Sequence, residues 1–474
     1  MTKIRDFFLP AFLVLSLCCT TSAVAGDLRV GAARVDITPP ADPANPPSGK
    51  YAHERLYVRA IVLDNGSVRA ALIGADQAML PNSVWEPASK QIAAELNCPV
   101  ENIVMSVTHT HSGWGPGASP FGRPHQPGGP GAAPPTTADV PPPPFVGQMV
   151  DAVRQAKARL QPARVGCGTG FCYLNVNRDA IDPETRLWTQ AANLDGPSDK
   201  TVAVLKFETP GGEPIAVYMT YAMHPVNGFL TGLISADFAG AASRYVEQVY
   251  DDKVVAVFAQ GASGDQNPLY LRAGTNALAS RSGVPITGNV LTRERVEAAI
   301  REGKVKAGPL DPKVRDTLER VMDSEGVLLG EEVIRVMTNT KQMDVAPRIS
   351  AAQNTITCPG RRRTDSGREG APGTYVDGDP VNIRLGVLRM GDVALASVDA
   401  EIYSVIGREL KERSPVANTL VVTLANGMAN SGYIPNDAAF GAYTFQVLSS
   451  RLKPGCAETS IVNGWLDLLQ AASR

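Results

Sequence analysis

The chain has 474 residues, 44% of them hydrophobic and 19% charged, with 45 basic residues against 47 acidic ones and a formal charge of −2. That length allows one large or two ordinary domains around a sizeable buried core. The near balance of charge argues against a nucleic-acid binder, which would carry a basic face, and leaves only a local patch open.

The first segment reads as a leader rather than as fold. Lys3 and Arg5 precede an apolar run from Phe7 to Cys19, and Ala23-Val24-Ala25 stands before Gly26. This is the pattern of a secretory signal peptide over 1–25, too short to span a bilayer, and it predicts cleavage after Ala25 and a secreted or periplasmic product. Lipid anchoring through Cys18 or Cys19 is the alternative, disfavoured because Leu or Cys precedes each one. No later run is long and apolar, so the mature chain is expected to be soluble.

Alternation or continuous apolar character predicts strands at 28–36, 56–63, 69–73 and 102–107. Val84, Ala88, Ile92 and Leu96 recur at helical spacing and predict a helix over 83–96. Strand, helix, strand in succession points to α/β architecture, with mixed sheets and flanking helices. Residues 113–144 are dense in Gly and Pro and should be an extended loop, either the rim of a site or a surface insertion. A helix is expected at 145–160, and strands at 200–208, 213–221 and 253–259. A helical insertion spans 270–345, clearest at 292–303 and 312–323. Strands at 382–389, 393–398 and 419–424 follow, with helices near 401–412 and 460–472. Without a repeat or a clean linker, 26–474 reads as one domain.

Five cysteines remain after the leader: Cys98, Cys167, Cys172, Cys358 and Cys456. Cys167 and Cys172 are near enough in sequence to pair across a turn, and the odd count leaves one free thiol. There is no C-x-x-C pair, so any metal must be held by histidine and oxygen.

Outside the Gly/Pro-rich loop the histidines are His53, His109, His111 and His224. Thr108-His109-Thr110-His111-Ser112 follows a buried strand, where extended backbone would turn both imidazoles to one side. His224 follows another strand and precedes Pro225. Metal ligands and hydrogen-bonded structural histidines are the two readings. Glu401 follows a third strand and is placed at the start of a helix, where the helix dipole would also favour a carboxylate. Asp265, in a glycine-bounded loop, has the same ambiguity. Asp36, Asp76 and Asp237 are each open as a neighbour of the site, a ligand of a second metal or a turn former, and none is assigned as a ligand.

Taken together and in order, Gly31–Pro40, the THTHSG stretch, His224–Gly240, Phe258–Pro268 and Ala429–Phe440 resemble the neutral (non-lysosomal) ceramidase family, in its N-terminal catalytic domain. The resemblance implies a secreted zinc-dependent hydrolase that cuts an amide of an N-acyl substrate, ceramide-like or another N-acyl lipid, with metal-activated water. It implies Zn2+ held by His109, His224, Glu401 and Tyr433, with His111, Arg178 and Tyr443 acting on substrate or water. The implied partner is a small-molecule or lipid acyl substrate, with a peripheral membrane surface also open, and no nucleic acid or obligate protein partner. The chain departs from the family at two points. Asn267 stands where the family carries a serine and is taken as a catalytic residue that can donate a hydrogen bond to an oxyanion, and the family's C-terminal β-sandwich domain is not expected within 474 residues. A zinc esterase or lactonase and a non-catalytic secreted binding protein stand as alternatives.

Overall fold

Residues 26–39, 54–113, 144–283, 310–367 and 369–473 are described by a computed structural model. The leader, His53, all of the Gly/Pro-rich loop between 114 and 143, and the expected helix at 292–303 lie outside the described residues.

Runs of β-branched and small apolar residues build a first sheet. β1 (Arg29–Asp36), β2 (Tyr57–Asp64) and β3 (Arg69–Ala75) form an antiparallel meander. The helix α1 (Asn82–Leu96) crosses over so that β4 (Ile103–Val107) adds parallel to β3. Val84, Ala88, Ile92 and Leu96 are its buried stripe, and Asn97 ends it in a left-handed conformation. The helix α2 (Pro144–Ala158) covers the same face, and β5 (Gln161–Pro162) closes the far edge.

The second sheet begins with β6 (Arg164–Phe171). The chain then leaves it for the hairpin β7 (Asn175–Ile181) and β8 (Trp188–Asn193), and returns as β9 (Thr201–Glu208) and β10 (Pro214–Tyr221). The helix α3 (Asp237–Val249) carries it to β11 (Val255–Gln260), parallel to β10. Next come β12 (Gln266–Pro268), paired to β7, then α4 (Arg272–Ser282) and α5 (Pro312–Asn339). A third sheet follows from the long hairpin β13 (Ile349–Arg363) and β14 (Tyr375–Met390), then β15 (Val393–Val398). After β16 (Glu401–Ile402) and α6 (Ser404–Arg413), β17 (Asn418–Val422) pairs parallel to β15. The chain closes with β18 (Tyr433–Ile434), α7 (Phe445–Ser449) and α8 (Ala457–Ala471).

All three sheets turn one face to a common core, in which Leu72, Tyr218 and Leu395 meet, one from each sheet. The outer faces are covered by α1 and α2, by α3 and α5, and by α6 and α8. Strands buried on both faces read as unbroken apolar runs, which is why their periodicity is weak. Each of these three larger sheets contains one parallel pair, whereas the small sheet β12-β7-β8 is wholly antiparallel. The ends of the three parallel pairs are stitched together by residues just past β17. Thr423 donates its amide to Gln260, Leu424 to Ala400, and Asn426 to Met105, while the Asn426 side chain accepts from the Met105 amide at 2.8 Å.

Several expectations are corrected. The helix near 401–412 begins at Ser404, and Glu401 lies in a two-residue strand instead. The segment at 312–323 is the first part of a 28-residue helix, α5. Asp311 caps its first turn by accepting from Lys313 and Val314, with Pro312 at the opening position. Gly326 and Gly330 then let it approach Ala241 and Tyr245 of α3 too closely for any side chain. Cys358 and Cys456 form the disulfide, whereas Cys167 and Cys172 are free. The physical reason is extension: Cys167 lies within β6 and Cys172 just past its end, and five residues of strand separate their backbones by about 16 Å. Among the described residues no helix is long and apolar enough to cross a membrane.

Candidate metal centre

The loops that leave the three parallel pairs carry the polar residues that converge. β4 ends at Val107, and His109 adopts φ 67°, a left-handed conformation costly for a residue with a Cβ. The two imidazoles therefore meet by a kink at His109 and not by the simple alternation of an extended chain. Their Nε2 atoms stand 3.3 Å apart, and the His111 amide donates to Pro225, tying this loop to the one that bears His224. The ligating nitrogens of His109, His111 and His224 all lie within 4.8 Å of one another.

Backbone carbonyls fix the rings. His109 Nδ1 is 2.6 Å from the Ala78 carbonyl, and His224 Nδ1 is 3.0 Å from that of Gln266. A carbonyl can only accept, so each Nδ1 carries the proton and each Nε2 presents a lone pair. Both lone pairs face the same Glu401 oxygen, at 3.3 Å from His109 and 3.2 Å from His224. Two imidazole acceptors crowded on one carboxylate oxygen, and within 4.8 Å of each other, need a positive charge among them. Ligand atoms about 2.0–2.1 Å from a tetrahedral ion would stand about 3.3–3.4 Å apart, so these residues fit a small divalent ion with nitrogen and oxygen ligands.

Glu401 owes its place to register. β16 pairs parallel with β18, setting Glu401 directly beside Tyr433. Tyr433 lies beside Glu401 and under the Arg178 guanidinium, and its ring packs edge-on against Phe445. The fourth ligand position is thus contested by Tyr433 and His111. Burial, with His109 and His224 close by, holds the His111 imidazole well below its ordinary pKa, and burial beside Arg178 takes His224 down to about 3. Burial, then Glu401, pushes the Tyr433 phenol upward.

Arg178 is buried with its donors directed. Nε and Nη2 donate to the Gly264 carbonyl at 3.2 and 2.6 Å, Nη1 donates to Asn267 Oδ1 at 3.1 Å, and the guanidinium lies 5.3 Å from the centre of the Tyr433 ring. Asn267 therefore touches the centre through Arg178. Asp265 is not among the facing donors. Its carboxylate accepts from the Ser404 amide and hydroxyl, both at 2.8 Å, and from Asn177 Nδ2, and so anchors the first turn of α6. Gly261 and Gly264 serve close backbone packing against Ala222 and Ile402, rather than the approach of a ligand.

Tyr443 is not brought to the cluster. Its carbonyl accepts from Gly370, and its side chain shares no hydrogen bond or ring contact with the histidines, Glu401 or Tyr433. Asp36 bonds Thr38 and Arg55, and Asp76 bonds the Tyr57 amide and Arg59, so neither faces the imidazoles. Sequence reasoning missed the Ala78 and Gln266 carbonyls, which no side-chain pattern announces. It also missed Phe229, whose ring meets His111 edge-on at 5.0 Å.

Donor set, burial and strand-end position together define a candidate metal centre on an α/β scaffold. The chain belongs to the neutral/alkaline non-lysosomal ceramidase family, a family of hydrolases: the family model for the N-terminal part matches residues 29–283, more than half of the chain. Neutral ceramidase of Drosophila melanogaster is 25% identical over 277 residues, covering 54% of this chain and 38% of that protein. Neutral ceramidase B of Dictyostelium discoideum is 27% identical over 263 residues, covering 51% of this chain and 34% of that protein. This chain thus matches well under half the length of these relatives. The solved structure of neutral ceramidase from Pseudomonas aeruginosa has the same fold, with a TM-score of 0.67 over 94% of this chain and 74% of that one, at 17% identity. Glu401, Tyr433 and α5 lie beyond the stretch that the family model matches.

Proposed function

We propose that this protein is an exported, zinc-dependent hydrolase that cuts the amide bond of an N-acyl substrate of ceramide-like chemistry. The observation that carries this reading is the contact of both His109 Nε2 and His224 Nε2 with Glu401 Oε2, at 3.3 and 3.2 Å, with both Nδ1 atoms already committed to carbonyls. Family membership adds the substrate class, and the Cys358–Cys456 disulfide favours an oxidising compartment outside the cytoplasm.

His109, His224 and Glu401 hold the ion, with Tyr433 as the fourth ligand. When bound, zinc supplies a hydroxide near neutral pH and polarises the scissile carbonyl. His111, uncharged and aimed at the same point, accepts a proton from water and returns it to the departing nitrogen. Arg178 is a permanent cation held rigid by Gly264 and Asn267, and it steadies the negative charge that grows on the carbonyl oxygen. Asn267 orients Arg178 and needs no nucleophilic role. Phe229 and Phe445 wall the cluster with apolar surface suited to an acyl chain.

The test is metal analysis of the purified mature chain, together with hydrolysis of a short-chain N-acyl sphingosine and of a matched ester. About one zinc per chain, lost in His109→Ala along with amide cleavage, is the expected result. A chain that takes up no zinc on reconstitution and cuts neither substrate would overturn the reading. Cleavage of the ester alone would replace it with an esterase.

A further inference from the structure

A second polar pocket lies behind the His224 loop, and the chemistry above does not use it. Its members come from three parts of the chain. Ser112 follows the histidine pair, Asn227 follows His224, and Glu325 reaches in from α5, outside the family-matched stretch. All three are buried, with exposures of 3%, 0% and 2%. Asn227 Nδ2 donates to Glu325 Oε2 at 2.7 Å. Among the described residues the other Glu325 oxygen, Asn227 Oδ1 and Ser112 Oγ have no hydrogen-bond partner.

Asp237 adds a second carboxylate. It sits in a left-handed conformation with φ 56°, and accepts from the Gly228 and Phe238 amides at 3.0 and 2.8 Å. A Cβ at Gly228 would lie 2.6 Å from Ser112 Oγ and 3.7 Å from Asp237 Oδ2, so glycine here lets the Ser112 hydroxyl and the Asp237 carboxylate close on the same stretch of backbone. Burial and the nearby Asp237 both penalise the charge on Glu325, and among the described residues no ion pair relieves it. Buried acceptors left unmet are costly, and here Asn227 Oδ1 and Ser112 Oγ lie beside an acidic pair.

We propose that this pocket binds a hard divalent cation, Ca2+, through Glu325, Asp237, Asn227 Oδ1 and Ser112 Oγ. Two carboxylates, an amide oxygen and a hydroxyl are the oxygen set that calcium takes, and water completes its shell of six to eight ligands. The ion pins α5 to the loops bearing His111 and His224, and thereby keeps Phe229 against His111. It is separate from the histidine cluster and does not depend on the hydrolase reading.

The experiment uses the full mature chain, stripped with chelator, reloaded with one equivalent of zinc and titrated with Ca2+ by calorimetry and by melting temperature. One Ca2+ per chain is expected, with melting raised by roughly 3–5 °C at a hundredfold excess over Kd. Glu325→Gln keeps the shape and the Asn227 bond but removes the charge, and should weaken Ca2+ at least tenfold. Ser112→Ala, a milder change, should weaken it about threefold. His109→Ala should lose zinc and keep Ca2+, which separates this site from the catalytic one. No Ca2+ binding in the wild type, or equal affinity in Glu325→Gln, would overturn the proposal. So would a Glu325→Gln protein that melts higher than the wild type regardless of Ca2+, since Glu325 would then hold a shared proton in place of an ion.

Discussion

The two halves of the candidate metal centre are held by different physics. His109 and His224 stand on loops whose rings are fixed by single bonds to the Ala78 and Gln266 carbonyls. Glu401 and Tyr433 are neighbours in a two-residue parallel ladder, β16 against β18, and that ladder hangs on Asp265 through Ser404. The imidazole half is therefore local, each ring needing one carbonyl. The acid half is remote, its position the product of register, a buried aspartate and the packing of Phe445. Local devices survive substitution nearby, whereas remote ones fail as a unit.

The sharpest way to break this comparison is Glu401→Gln. The amide can donate to an imidazole lone pair where the carboxylate cannot, so the metal-free protein should gain about 1–2 kcal/mol while its hold on zinc falls by more than ~100-fold. Denaturant melts of chelated protein and a zinc competition assay read the two effects separately. A metal-free variant less stable than the wild type would show that the crowded acceptors are not under strain.

Asp265→Ala attacks the remote half alone. It strips the Ser404 amide and hydroxyl and Asn177 of a buried partner, and about 3 kcal/mol of stability should go with them. Activity should fall more than zinc content, because the Glu401–Tyr433 ladder loses register before the imidazoles move. Equal loss of both would mean that the two halves are one mechanical unit.

This division also explains what was legible in the sequence. The His109 and His224 positions were readable because histidine is scarce here and both residues follow buried strands. The α/β class, and most strands and helices on the first sheet, followed from apolar runs and helical spacing. Glu401 was identified through resemblance, but its setting was misread as a helix start, because a two-residue strand leaves no periodicity to detect. β7 and β8 were missed for a related reason. They form a short, partly exposed hairpin whose residues Asn175, Asn177 and Asp179 look like loop, and whose strand character is imposed by pairing with β12.

Asp179 gives a pH-dependent test of that imposed hairpin. Tyr403 and Gln446 donate to its carboxylate at 2.7 and 3.1 Å, yet burial and then the nearby Asp265 raise its pKa to about 7, from 3.8. The folded protein therefore binds this proton more tightly than the unfolded chain, so its contribution to stability falls as pH rises from about 4 to 7. Asp179→Asn cannot titrate. Its stability relative to wild type should improve by on the order of 2 kcal/mol between pH 4.5 and 7.5, as read by denaturant melts at each pH. A flat difference across that range would place the proton elsewhere.

The smallest effect is expected at Tyr443. The resemblance gave it a role in catalysis, and loss of a proton donor to the leaving group would cost about 10²–10⁴-fold in kcat. Its position argues otherwise: it is half-buried, its carbonyl is spent on Gly370 near the tip of the β13–β14 hairpin, and no contact joins its ring to the donors. Tyr443→Phe should leave kcat within about threefold and shift KM at most modestly, as a rim residue would. His111, whose Nε2 already faces that of His109, then carries the proton by itself, and His111→Ala should show the full loss that Tyr443→Phe does not. A hundredfold fall in kcat for Tyr443→Phe would instead mean that the hairpin tip closes over bound substrate, bringing the remote half of the site into the chemistry.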